Sequence, residues 1–277
     1  MTEEKVLITD EEFLRISTYM KQRYGIDLSQ KKVIVNGRLE SHLKAGPWKN
    51  GTELMNAVES DKSGDTEKLL VNLLTTNHTY FMREFEHFDY LKQVVLPWLR
   101  TKESRTKDLR IWCGAASTGE EPYMIAMVIS DFFNLERDSW DTKVLATDIS
   151  SKVLRQAMAG VYTAEQLQKV PPQWRKRFFS LMAGGAQYRV KDELRQEVIF
   201  RQFNLMDPFP FKRKMHAIFL RNVMIYFDEV TKKELIQKVC NTLEPGGYLF
   251  IGTTETIDRS GTPLQMIQPS IYRKKEG

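Results

Sequence analysis

Apolar and polar positions recur with two different periods along the chain, and the change falls near residue 108. Before it the spacing is helical. Phe13, Ile16, Met20 and Tyr24 stand three or four apart, which puts them on one face of a helix. Thr9-Asp10-Glu11-Glu12 just ahead is a capping box, in which Thr9 caps the first turn and Glu12 reaches back. Gly25 supplies the residue that ends the helix. A second periodic stretch runs from Val33-Ile34 through Leu39 and Leu43 and stops at Gly46-Pro47. Shorter helices are expected over 51–58 and 66–74. The stripes are most simply the core of a small helical bundle. Residues 84–99 give one more helix, and 101–107 form a charged, serine-containing linker.

Beyond the linker the texture becomes strand alternating with helix. Strands are expected at 109–113, at 143–147 with Asp148 capping its end, at 198–203 and at 216–220. Ser150 or Ser151 opens a helix that runs to Gly160, and 235–243 is helical. Glu244-Pro245-Gly246-Gly247 then turns the chain into a strand at 248–251. The run 264–272 reads as one more strand, an antiparallel edge. Such alternation argues a mostly parallel sheet covered on both faces. Between Pro171 and Val198 it is interrupted by aromatic and basic residues, a Gly184-Gly185 pair and the alternating Tyr188-Arg189-Val190-Lys191, the pattern of a small β-hairpin insertion. The expected organisation is a helical domain over 1–80, a helix and linker over 81–107, and a sheet domain over 108–277 with its β-hairpin subdomain at about 171–200.

Composition narrows the class without choosing a function. Hydrophobic residues make up 42% and charged residues 28% of the 277, which fits a folded globular chain rather than a disordered one. No apolar run approaches the ~20 residues of a membrane span, and Met1-Thr2-Glu3-Glu4-Lys5 lacks the basic and apolar regions of a signal peptide. A cytoplasmic protein is expected. The net charge of +5 admits nucleic acid, a membrane surface or an acidic protein as partner. Cys113 and Cys240 sit in apolar stretches with no paired spacing, so they read as small buried hydrophobes. His42, His78, His87 and His216 form no ligand pattern, and no metal is expected.

Candidate chemistry begins at Cys113-Gly114-Ala115-Ala116-Ser117-Thr118-Gly119-Glu120-Glu121-Pro122-Tyr123. Small residues between a first strand and its helix let backbone approach a ligand at the carboxyl edge of the sheet. Gly119 is not followed by Lys-Ser/Thr, so this is no Walker loop, and it is no clean GxGxxG. Two glutamates at its mouth suit a ligand with positive charge, such as the ammonium and sulfonium of S-adenosylmethionine. Asp148 stands where an acid accepts hydrogen bonds from ribose hydroxyls, or it simply caps the helix that follows.

Five segments complete the picture in order: Thr76-Asn77-His78-Thr79-Tyr80-Phe81-Met82-Arg83-Glu84, Ser117 to Tyr123, Ala146-Thr147-Asp148-Ile149, Phe203-Asn204-Leu205, and Arg221-Asn222-Val223-Met224-Ile225-Tyr226-Phe227. In this combination they resemble the chemotaxis receptor methyltransferases, the CheR family, over nearly the whole chain. The resemblance implies an α/β fold: a class I, Rossmann-like methyltransferase sheet with an inserted small β-subdomain, preceded by a small all-α domain. It implies a protein-glutamate O-methyltransferase that uses S-adenosyl-L-methionine, releases S-adenosyl-L-homocysteine and esterifies glutamates of methyl-accepting chemotaxis receptors. By motif position, the family's cofactor contacts fall on Asn77, Thr79, Arg83, Glu121, Asp148, Asn204, Leu205, Arg221 and Asn222. Glu120 and Glu121 are adjacent on a helix, and the sequence leaves open which of them faces the cofactor. Arg83 would orient a carboxylate, either the cofactor's or the substrate's, and Tyr226 would belong to the methyl-transfer pocket.

The expected partner is the cytoplasmic helical region of such receptors, approached by a monomer, with no nucleic acid and no membrane insertion. A base-methylating enzyme would carry an aromatic-polar loop near the fourth strand, where this chain has Arg221-Asn222-Val223. His216 replaces the family's usual aspartate at a position expected near the start of its strand. The hairpin around Gly184-Gly185 is short beside members that dock on a receptor's carboxy-terminal tether, which favours direct docking over tether binding.

Overall fold

Thr9 opens the first helix as the capping box requires: its side chain accepts from the Glu12 amide and Glu12 accepts from the Thr9 amide. In the computed structural model, which describes residues 8–276 apart from the side chains of 135, 137 and 138, α1 (Asp10–Tyr24) ends on Gly25 in the left-handed conformation at φ 71°. Met1–Lys5, read above for targeting signals, lie outside the described residues. Helices α2 (Lys32–Ala45), α3 (Gly51–Ser60) and α4 (Asp65–Leu74) follow. Ile16, Met20, Leu39, Leu54, Met55 and Leu70 form their buried faces. The chain divides into two compact units, and this helical one comprises Met1–Thr76 and Ile225–Lys232.

The second unit, Asn77–Met224 and Lys233–Gly277, carries the sheet. It begins with α5 (Glu86–Tyr90), a π-helical turn at Leu91–Val95 and α6 (Leu96–Lys102). Its sheet strands are β1 (Ile111–Cys113), β2 (Val144–Asp148), β6 (Val198–Gln202), β7 (Met215–Leu220), β8 (Leu243–Ile251), β9 (Leu264–Gln268) and β10 (Ile271–Lys274). Between them lie α7 (Glu120–Phe133), α8 (Ser151–Ala159), β3 (Val161–Thr163), α9 (Pro172–Phe178), β4 (Phe179–Leu181), β5 (Gln187–Val190), α10 (Asp192–Arg195) and α11 (Glu229–Thr242). The order across the seven-stranded sheet is β6-β2-β1-β7-β8-β10-β9. The first five are parallel, β10 pairs antiparallel with β8, and β9 pairs antiparallel with β10.

The chain steps from β1 to β2 and β6 on one side, then returns to β7 and β8 on the other. A crevice at the carboxyl ends of β1 and β7 is therefore the switch point of the sheet, where α/β proteins bind their ligands. All six residues of β7 are buried, and Phe219 stacks on Phe250 of β8 at 4.3 Å. Full burial of a side chain such as Ile218 contributes roughly 1.5–3 kcal/mol.

Three expectations change in detail. The inserted subdomain is a three-stranded antiparallel sheet, β3-β5-β4, because Val161–Thr163 pairs with β5 as well. The run 264–272 is a hairpin rather than one strand: Pro269 has no amide to donate, and Ser270 turns the chain at φ 62°. β10 then pairs with β8, and β9 becomes the edge. Glu244-Pro245-Gly246-Gly247 does not end a turn ahead of a strand but bulges inside β8, with Gly246 at φ 77° and the pairing with β7 shifting between Met215 and Ala217. No helix among the described residues is long and apolar enough to cross a membrane.

Candidate active site

Gly114 leaves β1 with its amide on the Phe219 carbonyl at 2.8 Å. A Cβ there would lie 2.9 Å from Leu220 Cδ1, so any larger residue would have to displace the Leu220 side chain. The chain then turns at Ser117, φ 48°, and at Gly119, φ 100°. The Ser117 amide donates to Asp148 Oδ2 at 2.8 Å, and the Ser150 amide donates to Asp148 Oδ1 at 2.9 Å. Asp148 thus holds the loop after β1 and opens the loop after β2. Burial raises its pKa, and the amides of Ser150 and Ser117 work against that rise. A carboxylate has about four acceptor positions, and the amides of Ser150, Ser117 and Ile149 engage three of them, so a hydroxyl group of a ligand can use the remaining one.

Arg221 lies at the end of β7 with its side chain 1% exposed. Its Nη1 donates to Glu121 Oε2 at 2.6 Å, and its Nη2 donates to Glu84 Oε2 at 3.1 Å and to the Arg83 carbonyl at 2.6 Å. Its guanidinium lies 5.2 Å from the Phe88 ring centroid. Glu121 also accepts from the Cys113 thiol at 3.3 Å. Burial raises the Glu121 carboxyl, with Arg221 opposing. Glu120 is more deeply buried and accepts from the Thr118 hydroxyl at 2.6 Å, and burial raises it too. Of the two adjacent glutamates, Glu121 is the one joined to Arg221.

Arg83 behaves differently from Arg221. Its Nη1 donates to the His78 carbonyl at 2.8 Å, its guanidinium lies 5.7 Å from the Tyr80 ring centroid, and its Nε stands 4.0 Å from Glu84 Oε1. It makes no hydrogen bond to a carboxylate among the described residues. Asn222, at φ 55°, donates its amide to Glu255 Oε2 at 2.8 Å and its side chain to Glu84 Oε1 at 3.2 Å. Asn77 meets the same loop as Asp148, its carbonyl accepting from the Ser117 hydroxyl at 2.8 Å. Thr79 is half-buried two residues further on. Asn204 and Leu205 are buried just beyond β6. Asn204 accepts from the Met206 amide at 3.0 Å, and the Leu205 carbonyl accepts from Lys238 at 2.5 Å.

Tyr226 belongs to the other unit, where its hydroxyl lies 3.4 Å from the Thr76 carbonyl and Lys31 Nζ stands 5.3 Å from its ring centroid. The sheet unit therefore holds every expected contact except Tyr226. Arg83, Glu121, Arg221 and Asn222 fall in one hydrogen-bonded network. Asn77 and Asp148 meet through Ser117.

Two acids of this network escaped sequence reasoning. Glu84 was merely the last letter of a motif quoted for Arg83. Glu255 accepts from the amides of Gly252, Asn222 and Met224 at 2.7–2.8 Å. Its signal was available, since it is an acid in the loop that follows β8, at the same edge of the sheet as Asp148 at the end of β2. A separate cluster, Glu103, His216 and Glu244, brings donor atoms within 4.8 Å of one another near the start of β7. Arg110 and Lys102 already pair with Glu244 there, so it reads as an ion-pair cluster.

The site has more acids (Glu84, Glu120, Glu121, Asp148, Glu255) than bases (Arg83, Arg221), together with a loop whose backbone is bare at Gly114 and Gly119. That donor set fits a cationic ligand with a hydroxylated sugar, as S-adenosylmethionine is. Residues 77–272 match the family model described as "CheR methyltransferase, SAM binding domain". A chemotaxis protein methyltransferase of Borreliella burgdorferi is 39% identical, covering 96% of this chain and 95% of its own. That of Escherichia coli is 37% identical, covering 97% and 92%, and chemotaxis protein methyltransferase 1 of Pseudomonas aeruginosa is 35% identical, covering 96% and 98%. Matching over the crevice and over nearly the full length, the chain belongs to the CheR methyltransferase family and takes S-adenosylmethionine as its cofactor.

Proposed function

We propose that this methyltransferase transfers a methyl group to glutamate side-chain carboxylates on the helical cytoplasmic region of methyl-accepting chemotaxis receptors. It would act as a cytoplasmic monomer in chemotactic adaptation and form glutamate methyl esters. The observation that carries the reading is Arg83, a guanidinium 4.0 Å from Glu84 that makes no carboxylate hydrogen bond among the described residues. A planar fork of donors is the group that fixes a carboxylate in one orientation.

The chemistry asks little of the protein beyond placement. A glutamate has an unperturbed pKa near ~4.3, so at neutral pH it is already the nucleophile and needs no general base. Bound S-adenosylmethionine supplies an electrophilic methyl group on a positively charged sulfur. Arg83 would hold the acceptor carboxylate in line with the methyl–sulfur bond, so that the new oxygen–methyl bond would form as the sulfur–methyl bond breaks and S-adenosyl-L-homocysteine would leave. Asp148 would accept from the ribose hydroxyls, Asn204 and Leu205 would flank the adenine, and Glu121 would offset cofactor charge. Asn77, Thr79, Arg221 and Asn222 would complete the cofactor contacts. Tyr226 is assigned to the methyl-transfer pocket, and Tyr226→Phe tests the part of that role its hydroxyl plays.

The basic residues of the helical unit matter less than their number suggests. Lys21, Arg23, Lys32 and Lys44 pair with Asp228, Glu67, Asp10 and Glu40, and Arg38 donates to the Leu74 and Thr75 carbonyls. Direct docking on the receptor remains the proposed mode. Peptide mapping of a receptor incubated with the enzyme and cofactor tests the acceptor: methyl groups on glutamates support the reading, and methyl groups on other side chains overturn it.

A further inference from the structure

The turn that presents Arg83 is strained on both sides. Met82 and Glu84 adopt φ of 69° and 50°, a region that non-glycine residues occupy only when their surroundings hold them there. Glu84 itself ties this turn to its surroundings. Its side chain, 14% exposed, accepts from Arg221 Nη2 at 3.1 Å, from Asn222 Nδ2 at 3.2 Å, and from the Thr253 amide and hydroxyl at 3.3 and 3.2 Å. Those donors come from the loops after β7 and after β8. Arg221 closes the ring by donating to the Arg83 carbonyl at 2.6 Å.

We infer that Glu84 is a positioning residue for methyl transfer: it pins the Met82–Glu84 turn to the ends of β7 and β8 and so sets the direction in which Arg83 presents its guanidinium. The inference rests on the proposed role of Arg83. Glu84 need not touch the cofactor or the acceptor. Its carboxylate is already engaged by donors from two loops, and burial, which alone would raise its pKa, is outweighed by Arg221 and Asn222, keeping it ionised. The arrangement separates the two arginines by duty: Arg221 is hydrogen-bonded to glutamates, while Arg83, 4.0 Å from Glu84 Oε1, makes no carboxylate hydrogen bond among the described residues and would receive one from outside.

The test is a double-mutant cycle on the full chain with Glu84→Gln, Arg83→Ala and the pair, read as kcat, KM for receptor and calorimetric affinity for S-adenosylmethionine. If Glu84 acts through Arg83, Glu84→Gln lowers kcat/KM by about 10–100-fold in the parent and by less than about twofold in the Arg83→Ala background. An equal loss in both backgrounds, or none in either, overturns the inference. Should Glu84→Gln fail to fold, Thr253→Val removes one hydroxyl bond to Glu84 and should give a loss of about 2–5-fold in the parent alone. Should the parent modify no carboxylate at all, the acceptor assignment is what fails. The cycle is then read on cofactor affinity, where coupling between the two sites still supports the inference and strict additivity overturns it.

Discussion

At Arg83 and Asp148 the demands on single side chains can be separated by experiment. Arg83 is partly exposed and donates to the His78 carbonyl, so replacing it strands no buried hydrogen-bond partner among the described residues. We expect Arg83→Ala to lower kcat by about 100-fold or more while the melting temperature moves by no more than about 2–4 °C. Asp148 is buried and shares its oxygens between the Ser117 and Ser150 amides. Asp148→Asn exchanges one acceptor for a donor that faces those amides or the ligand, and we expect cofactor affinity by calorimetry to fall at least about tenfold. Asp148 was legible in sequence because an acid at a strand's end has a recognisable place. Glu84 was not, because its importance lies in partners 137 to 169 residues away along the chain, and no local pattern carries that.

Local chemistry marked elements well wherever it was self-contained. The capping box at Thr9, the cap at Ser150 and the left-handed glycines at Gly25 and Gly160 all end or begin helices where their residue types dictate. It was less informative where a strand's partner decides its form. Nothing inside 264–272 says that β10 will seek β8, and Glu244-Pro245-Gly246-Gly247 reads equally as a turn or as a bulge until β7 is beside it. The loop ahead of α7 gives a test at this scale. A Cβ on Gly119 would lie 2.8 Å from the Tyr162 hydroxyl and 2.9 Å from Ala157 Cβ, at φ 100°. Gly119→Ala should therefore cost about 1–3 kcal/mol in chemical denaturation and weaken cofactor binding together with stability.

Two buried histidines set how the whole molecule responds to acid. Burial and the neighbouring Arg221 charge lower the pKa of His87 to about 4, and burial and Arg110 lower that of His216 to about 4. In the unfolded chain both would titrate near ~6.5. Between these values the unfolded state binds more protons than the native one, so each contributes stability at neutral pH that is lost as pH falls from 6.5 towards 4. Between pH 7 and 5 the loss should be roughly 1–2 kcal/mol for each histidine. Glu120, Glu121 and Asp148, all raised, work in the opposite sense. The histidine share is isolated by comparing the pH dependence of unfolding in the parent with that in His87→Gln, which should be flatter.

The mostly parallel sheet and the ligand loop at its carboxyl edge followed from alternation and the small residues after the first strand. The pairing of Lys21, Arg23 and Lys32 with Asp228, Glu67 and Asp10 did not, because each of these pairs depends on a fold that brings distant acids close. The account as a whole depends on the chemical nature of the acceptor. The most direct measurement incubates the purified chain with methyl-labelled S-adenosylmethionine and receptor-bearing membranes, then treats the products with mild base. Label released from receptor protein as methanol is the predicted result, since only a carboxyl ester hydrolyses so readily. Label that stays on the receptor through base treatment, or that appears in added nucleic acid instead, would contradict methyl-ester formation on glutamate.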